Sequence, residues 1–197
     1  MKAENIRFIK EKYGENSPIY RAFEQIYVSH FLTSFVIRYI DKLEENNTKI
    51  TDLNEKLGNE SLVFPKMANA LFLTVYSDFE YFLIELCKAY QTSTILRIKL
   101  NDLKGEGVIG ALDYLDRVVG IDVKNNKYYQ ELPHWNKIRN YIVHNSAIID
   151  DKCIKSVDYL NIKKASSLDN ELICMNFNDV KRFIHITEGI QDYLLKR

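Results

Sequence analysis

The residues of this chain best suited to chemistry are Arg139 and His144, which stand five positions apart in the segment IRNYIVHN, residues 138–145. An arginine side chain is a permanently charged fork that binds phosphate oxygens. A histidine gives or takes a proton near neutral pH. Such a pair can act on a phosphodiester bond without a metal ion, so this segment predicts phosphodiester chemistry.

The segment is compatible with a helix that would hold this pair rigidly. On an ideal helix Arg139 and His144 differ by about 140° and flank a common edge. Each is followed by an amide side chain, Asn140 and Asn145, and Asn140 shares a face with His144 one turn later. The three residues between Asn140 and His144 are apolar enough to anchor the helix in a core.

A structural interpretation of the same two residues stays open. The chain contains eight arginines and four histidines, so this spacing can arise by chance. Arg139 would then form a surface ion pair. His144 would cap the C-terminal end of the helix, where the helix dipole favours a protonated imidazole.

Size and composition predict a single helical domain spanning residues 1–197, with a real core. Hydrophobic residues make up 46% of the chain and charged residues 27%. Basic and acidic residues number 27 each, so the net charge is zero. That balance argues against a broad cationic surface for nucleic acid but leaves room for a small basic site.

Cysteine usage and hydropathy predict a cytoplasmic protein with no membrane span and no cofactor. Cys87, Cys153 and Cys174 form no C-x-x-C pair, and free thiols fit a reducing compartment. The N-terminal segment lacks the apolar core of a signal peptide. Charged residues interrupt the longest apolar run, 68–90, which favours a buried helix. Asp150 and Asp151 near Cys153 lack a second ligand cluster, so no metal site is predicted.

Hydrophobic periodicity predicts an up-and-down helical bundle. We expect a helix at 4–13, then one that starts at Ser17-Pro18 and runs to about Asn46, with 44–59 loosening into a loop. Ser61 and Pro65 mark the start of a central helix with one broad apolar face. The face contains Met67, Leu71, Val75, Phe79, Phe82, Leu83 and Leu86.

The second half predicts two further helices, a β-hairpin and a last helix. TILRIKL, 94–100, suits a short helix or a short strand, and helices follow at 108–120 and from about Pro133 to Asn145. SVDYLNIKKA and ELICMN are β-compatible runs on either side of a turn, which places a hairpin at about 155–176. Asn178 or Asp179 is the predicted cap of the last helix.

Two further patterns offer weaker hypotheses. Gly105, Gly107 and Gly110 match G-x-G-x-x-G, but a dinucleotide site also needs a parallel sheet, so glycines that punctuate a helix are favoured. His134 and Trp135 precede the motif and are able to stack on a base. For Trp135 we favour a core anchor.

RNYIVHN resembles the R-N-x-x-x-H motif of the HEPN (higher eukaryotes and prokaryotes nucleotide-binding) family, and the resemblance covers about 18–196. It implies that Arg139 and His144 are the catalytic pair and that Asn140 is the polar residue following the arginine. LFLTVYSDFEYFLIELCKAY resembles an earlier core helix of the family, in which Glu80 would be the mid-helix acid. Members of one subset carry a tyrosine two residues after the histidine. Ser146 stands there instead, which argues against that subset's control by modification.

The resemblance implies a metal-independent endoribonuclease, with a toxin or antiphage defence effector as its role. The 2′-hydroxyl of RNA would attack the neighbouring phosphate, with His144 moving the proton and Arg139 stabilising the phosphoryl charge. It also implies a homodimer with the two motif helices side by side, RNA as partner, and an antitoxin or other regulatory protein. A non-catalytic HEPN module that binds RNA, a nucleotide or a protein is the alternative. The third possibility is a helical interaction protein with a coincidental motif.

Overall fold

The computed structural model describes residues 3–45, 60–93, 98–103, 105–167 and 170–196. Within these ranges lie seven α-helices and one antiparallel pair of strands, which confirms a mainly helical chain with a small hairpin before the C-terminal helix. The helices are α1 Ala3–Tyr13, α2 Pro18–Glu45, α3 Glu60–Ser93, α4 Gly107–Tyr114, α5 Leu132–His144, α6 Ile154–Leu160 and α7 Phe177–Leu195. The strands are β1 Lys163–Ser167 and β2 Asn170–Cys174.

Helix α2 begins at the predicted Ser17-Pro18 pair. The Ser17 hydroxyl oxygen accepts a hydrogen bond from the Tyr20 amide at 3.2 Å and satisfies one of the unpaired donors of the first turn. The first two residues of the predicted loop 44–59 still belong to α2, and 46–59 lie outside the described residues. Most of the TILRIKL segment is also outside them.

Helix α3 is the centre of the bundle, as its apolar face predicts, and it packs against α2, α4, α5 and α7. The face does not extend to Met67, which is 38% exposed. A cluster of aromatic rings joins α3 to α5 and α7: the Phe72 ring centre lies 5.5 Å from that of Trp135 and 4.9 Å from that of Phe183. This cluster fixes the position of the motif helix α5 in the core.

Helix α2 has an apolar face that points away from the core. Five large apolar residues lie there, with 46–59% of their surfaces exposed. The exposed residues are Val28, Phe31, Leu32, Phe35 and Tyr39. No helix within the described ranges is both long and apolar enough to cross a membrane.

The predicted helix 108–120 is divided into α4 and a π-type turn, Leu115–Val119, which Gly120 ends at a φ of +83°. Before it, the Gly105 and Gly110 backbones touch, and a Cβ on Gly110 would lie 2.5 Å from the Gly105 carbonyl oxygen. The strands in the described part of the chain are antiparallel, so it lacks the parallel sheet that a dinucleotide site needs. These two glycines therefore serve backbone packing.

The β-compatible run SVDYLNIKKA is mostly wrong as a strand, because 154–160 form α6. Buried Cys153, Val157 and Leu160 recur with a helical period. Asn161, at a left-handed φ of 55°, ends the helix, and β1 pairs with β2 from Lys163 opposite Cys174 onward.

The predicted cap of the last helix is also corrected, because Asn176 caps α7 instead of Asn178 or Asp179. The Asn176 side chain accepts hydrogen bonds from the amides of both residues, at 2.8 and 3.1 Å. In return, the Asp179 carboxylate accepts a hydrogen bond from the Asn176 amide at 2.8 Å. This reciprocal capping box satisfies donors that a single cap leaves unpaired.

Candidate active site

The motif helix α5 is anchored on one side and open on the other. Pro133 lies in its first turn, where the missing N–H of proline costs nothing. Leu132, Trp135 and Ile138 are buried at three-residue steps, which confirms Trp135 as a core anchor. Of the three residues predicted to anchor the helix, Tyr141 and Ile142 pack against the core partly buried, but Val143 is 46% exposed, so the anchoring comes mainly from the earlier residues. Anchoring this face leaves the polar residues of the motif on the remaining surface of the helix.

All five residues predicted for the site line a single cavity of about 690 Å³. Arg139, Asn140, His144 and Asn145 come from α5 and the residue after it, and Glu80 comes from the middle of α3. The remaining lining residues are Tyr76, Glu106, Gly107, Asn136, Tyr141 and Asp150. The cavity therefore unites the motif with the mid-helix acid, although 59 residues separate Glu80 from Arg139.

Arg139 is held over an aromatic ring at the inner wall of the cavity. Its guanidinium carbon lies 5.7 Å from the centre of the Tyr76 ring, within the range of a cation–π contact. One of its N–H groups donates to the Asn140 side-chain oxygen at 3.1 Å. Among the described residues Arg139 forms no ion pair, which argues against the surface-pair interpretation and leaves its other donors available for an anion.

Tyr76 is a site residue that the sequence analysis missed. Its side chain is 1% exposed, and its hydroxyl donates to the Asn136 side-chain oxygen at 2.7 Å. Burial raises the pKa of Tyr76, so the hydroxyl stays protonated and keeps donating. A signal was present, since Tyr76 precedes Glu80 by one helical turn and Asn136 precedes Asn140 by one turn.

His144 is the last residue of α5 and is exposed at the mouth of the cavity. Its place in the last turn also fits the capping interpretation, so the position alone does not choose between the two roles. Asn145 has a structural task besides lining the cavity, because its amide donates to the Ile148 carbonyl at 2.9 Å. Ser146 follows at a left-handed φ of 51°, in the turn that leaves the helix.

The Glu80 carboxylate lies against the first residue of α4. A Cβ on Gly107 would be 3.1 Å from Glu80 Oε1, and Gly107 has a φ of +66° that favours glycine. The close approach of this carboxylate thus depends on a residue without a side chain. Gly107 is the member of the G-x-G-x-x-G pattern that touches the site.

A hydrogen-bonded pair, Tyr141 and Asp150, forms another part of the wall. The Tyr141 hydroxyl lies 2.6 and 2.7 Å from the two Asp150 carboxylate oxygens, and the amides of Lys152 and Cys153 also donate to Asp150. The bond to Asp150 raises the pKa of Tyr141 to about 12, and the same bond lowers the pKa of Asp150. Nothing in the sequence indicated this pair, because the chain brings Asp150 back to α5 through a turn.

The charges of the lining are mixed. Glu80, Glu106 and Asp150 contribute three carboxylates, whereas Arg139 is the permanent cation among the lining residues. Three hydrogen-bond donors stabilise the charged Asp150 carboxylate, and Glu106 is exposed. The cavity thus contains one permanent cation, Arg139, together with His144 and Glu80. These are side-chain types used in general acid–base chemistry on an anion.

The other polar candidates have structural surroundings. His30 is buried, its Nε2 lies 3.1 Å from the Thr187 hydroxyl, and its Nδ1 lies 3.7 Å from the Glu188 carboxylate. His185 bonds through Nε2 to the Tyr128 hydroxyl at 2.8 Å. Cys87 is fully buried. The described residues contain no cluster of three or more potential ligands placed to hold a metal ion.

Comparisons with protein-family models, with curated proteins and with solved structures found nothing that matches the chain. The residues that line the cavity are therefore what indicates a function.

Proposed function

We propose that this chain is a metal-independent endoribonuclease of the HEPN type. The observation that supports it best is the shared cavity, in which Arg139, His144 and Glu80 line one space together with Asn140. Arg139, which lies over a ring and forms no ion pair with any described residue, is available for a phosphate. The groups beside it can accept and return a proton.

The reaction follows from these groups. The 2′-oxygen of a ribose attacks the adjacent phosphorus as its proton passes to a base, and the bond from phosphorus to the 5′-oxygen breaks. The 5′-oxygen takes a proton from an acid, which leaves a 2′,3′-cyclic phosphate and a 5′-hydroxyl end. His144 serves in proton transfer, and Arg139 stabilises the charge on the phosphoryl oxygens.

The proposal includes a homodimer in the cytoplasm whose motif helices lie side by side. His144 is exposed at the end of α5, and its neighbour Val143 is 46% exposed, so a second protomer has access to this end of the helix. The biological role proposed is that of a toxin or antiphage effector. RNA is its target, and an antitoxin or another regulatory protein is its control.

The test is cleavage of labelled single-stranded RNA in EDTA by purified protein. Arg139→Ala and His144→Ala should each lower kcat/KM by about a hundredfold or more. Arg38→Ala and His185→Ala are matched controls outside the cavity and should retain activity. Mass spectrometry should find 2′,3′-cyclic phosphate ends. Equal cleavage by wild type and the two motif variants would reject the proposal.

The dimeric part of the proposal has a separate test. Mixing Arg139→Ala with His144→Ala protein allows mixed dimers, in which one arginine and one histidine remain at the shared cleft. Activity of the mixture above that of either variant supports a composite cleft. No gain on mixing, with exchange of protomers verified by mass spectrometry, would contradict it.

One observation favours a second candidate, a non-catalytic HEPN module that binds a partner. The carboxylates of the cavity outnumber its permanent cation, and excess negative charge weakens the binding of a phosphate. Such a module predicts a partner with cationic groups and binding without turnover. A titration of the cavity with inorganic phosphate, followed by NMR of Arg139, separates the candidates, since only the nuclease should bind the anion there.

A further inference from the structure

A stacked pair of aromatic rings stands beside the cavity, on the surface formed by α5 and α6. The rings of His134 and Tyr159 are 3.9 Å apart between centres and inclined by 14°. His134 Nδ1 lies 3.1 Å from the hydroxyl of buried Ser156, which fixes the imidazole ring. Tyr159 remains 51% exposed although one face is covered by His134. The pair is thus a preoriented platform with an open aromatic surface.

Lysines flank this platform. Lys155 is exposed and precedes Tyr159 by one turn of α6, and Lys137 follows His134 by one turn of α5. Within the described part of the chain, neither lysine forms an ion pair with a carboxylate. Asp158, which precedes Tyr159 on α6, is paired with Lys164 at 2.8 Å. The surface therefore combines an aromatic ring with two lysines that have no ion-pair partner among the described residues.

The platform is continuous with the cavity along one face of α5. His134, Lys137, Tyr141 and His144 recur at steps of three and four residues, so they form a ridge about 15 Å long at 1.5 Å per residue. The Lys137 ammonium lies 5.7 Å from the centre of the Tyr141 ring, and Tyr141 lines the cavity. A ligand seated on Tyr159 can thus reach His144 without leaving this face.

We propose that this ridge binds single-stranded RNA, with one base stacked on Tyr159 and the backbone passing Lys155 and Lys137 toward Arg139. The inference rests on the proposed ribonuclease function and names the form of its substrate. Stacking platforms beside cations are how proteins bind single strands, because every base offers a flat face. A duplex cannot use Tyr159, because its bases are already stacked on one another.

The experiment measures binding separately from cleavage. The probe is a fluorescein-labelled 2′-O-methyl RNA of about ten nucleotides, within the usual site size for single strands. It lacks the free 2′-hydroxyl that cleavage requires. Fluorescence anisotropy in EDTA at several salt concentrations gives Kd and its salt dependence.

Tyr159→Ala should weaken binding by about fivefold or more, the loss of one stacked base. Tyr159→Phe keeps the ring and should stay within about twofold of wild type. Tyr39→Ala, at another half-exposed tyrosine on α2, is the matched control and should bind as wild type does. Lys155→Gln should lower the slope of log Kd against log salt by about 0.7, whereas Lys66→Gln, an exposed lysine on α3, should not.

Circular dichroism and Tm establish that each variant is folded. If Tyr159→Ala is not folded, Lys155→Gln supplies the test, because Lys155 is exposed. Wild-type binding by both Tyr159→Ala and Lys155→Gln would overturn the inference, as would equal effects of Tyr159→Ala on duplex and single strand. If RNA cleavage depends on His144 while Tyr159→Ala binds normally, the ribonuclease proposal is supported and RNA binding by the ridge is rejected. If Tyr159→Ala loses binding but the wild type cleaves nothing, RNA binding by the ridge is supported and the ribonuclease proposal is rejected.

Discussion

The buried ring of Tyr76 should matter to RNA cleavage although it is not a group that reacts. It lies 5.7 Å from the Arg139 guanidinium carbon, and its hydroxyl donates to Asn136 at 2.7 Å. Two substitutions separate these contacts. Tyr76→Phe removes the hydroxyl alone, and Tyr76→Leu also removes the ring beneath the arginine.

The structure sets the expected size of each effect. Tyr76→Phe loses one hydrogen bond and should lower the free energy of unfolding by about 1 kcal/mol. Tyr76→Leu also loses ring contacts with Phe72 and Phe183, whose centres lie 5.9 and 5.7 Å away. The total should reach roughly 2–4 kcal/mol. The cation–π contact that holds Arg139 accounts for about 0.5–1 kcal/mol of positioning.

Urea unfolding and RNA cleavage in EDTA measure the two quantities. Tyr76→Phe should cleave at about the wild-type rate, whereas Tyr76→Leu should lose about two- to fivefold in kcat/KM, the equivalent of roughly 0.5–1 kcal/mol, because Arg139 is no longer oriented. Phe79→Leu is the control: Phe79 is fully buried on the same helix and does not line the cavity. It should lose stability and keep its rate.

Comparing two buried aromatic positions on α3 shows whether Arg139 needs the Tyr76 ring. If folded Tyr76→Leu protein cleaves RNA as fast as Phe79→Leu protein does, the arginine needs no aromatic support. The pH profile adds a second check. Since burial raises the pKa of Tyr76, Tyr76→Phe should leave the profile of kcat/KM unchanged below neutral pH.

Four further substitutions test the surroundings of the site and the cap of α7. Gly107→Ala and Gly14→Ala, at φ of +66° and +83°, should each lower the free energy of unfolding in urea by about 1–2 kcal/mol. Only Gly107→Ala should also slow cleavage, because its Cβ would press on the Glu80 carboxylate. A Cβ on Gly14 would meet open space. Tyr141→Phe should raise the lowered pKa of Asp150 toward the ordinary value, as followed by NMR. A lowered pKa stabilises the folded state above the ordinary carboxyl pKa and loses that contribution as pH falls, so the wild-type advantage over Tyr141→Phe should shrink in acid. Asn176→Ala should lower unfolding free energy by about 1 kcal/mol by removing a helix cap, and unchanged stability would contradict that assignment.

Local signals predicted the elements well where their chemistry acts within a few residues. Ser17 caps α2 because its hydroxyl reaches an amide in the first turn. The broad apolar face of α3 required a central position, and Trp135 anchors α5. By contrast, residues 154–160 have β-compatible composition but form α6, since their buried side chains pack with a helical period. In this segment tertiary packing outweighs the intrinsic β propensity of the residues.

In the cavity too, neighbouring residues explain some positions and tertiary packing explains others. Arg139, Asn140 and His144 are close in the chain, so helix geometry alone placed them near one edge. Glu80 lines their cavity because α3 and α5 pack together, which local periodicity does not encode. Tyr76 stands one helical turn before Glu80, so its spacing is a sequence signal, but its position under Arg139 depends on that packing.

The sequence alone established a mainly helical chain, the helix that carries Arg139 and His144, and Trp135 as a core anchor of this helix. Short-range hydrogen bonds and hydrophobic period decide these features, and both are written in neighbouring residues. Only the tertiary structure decided that Arg139 lies over Tyr76, that Asp150 closes the wall, and that Tyr159 continues the surface beyond the cavity. Those contacts join distant parts of the chain, and their geometry depends on how the helices pack.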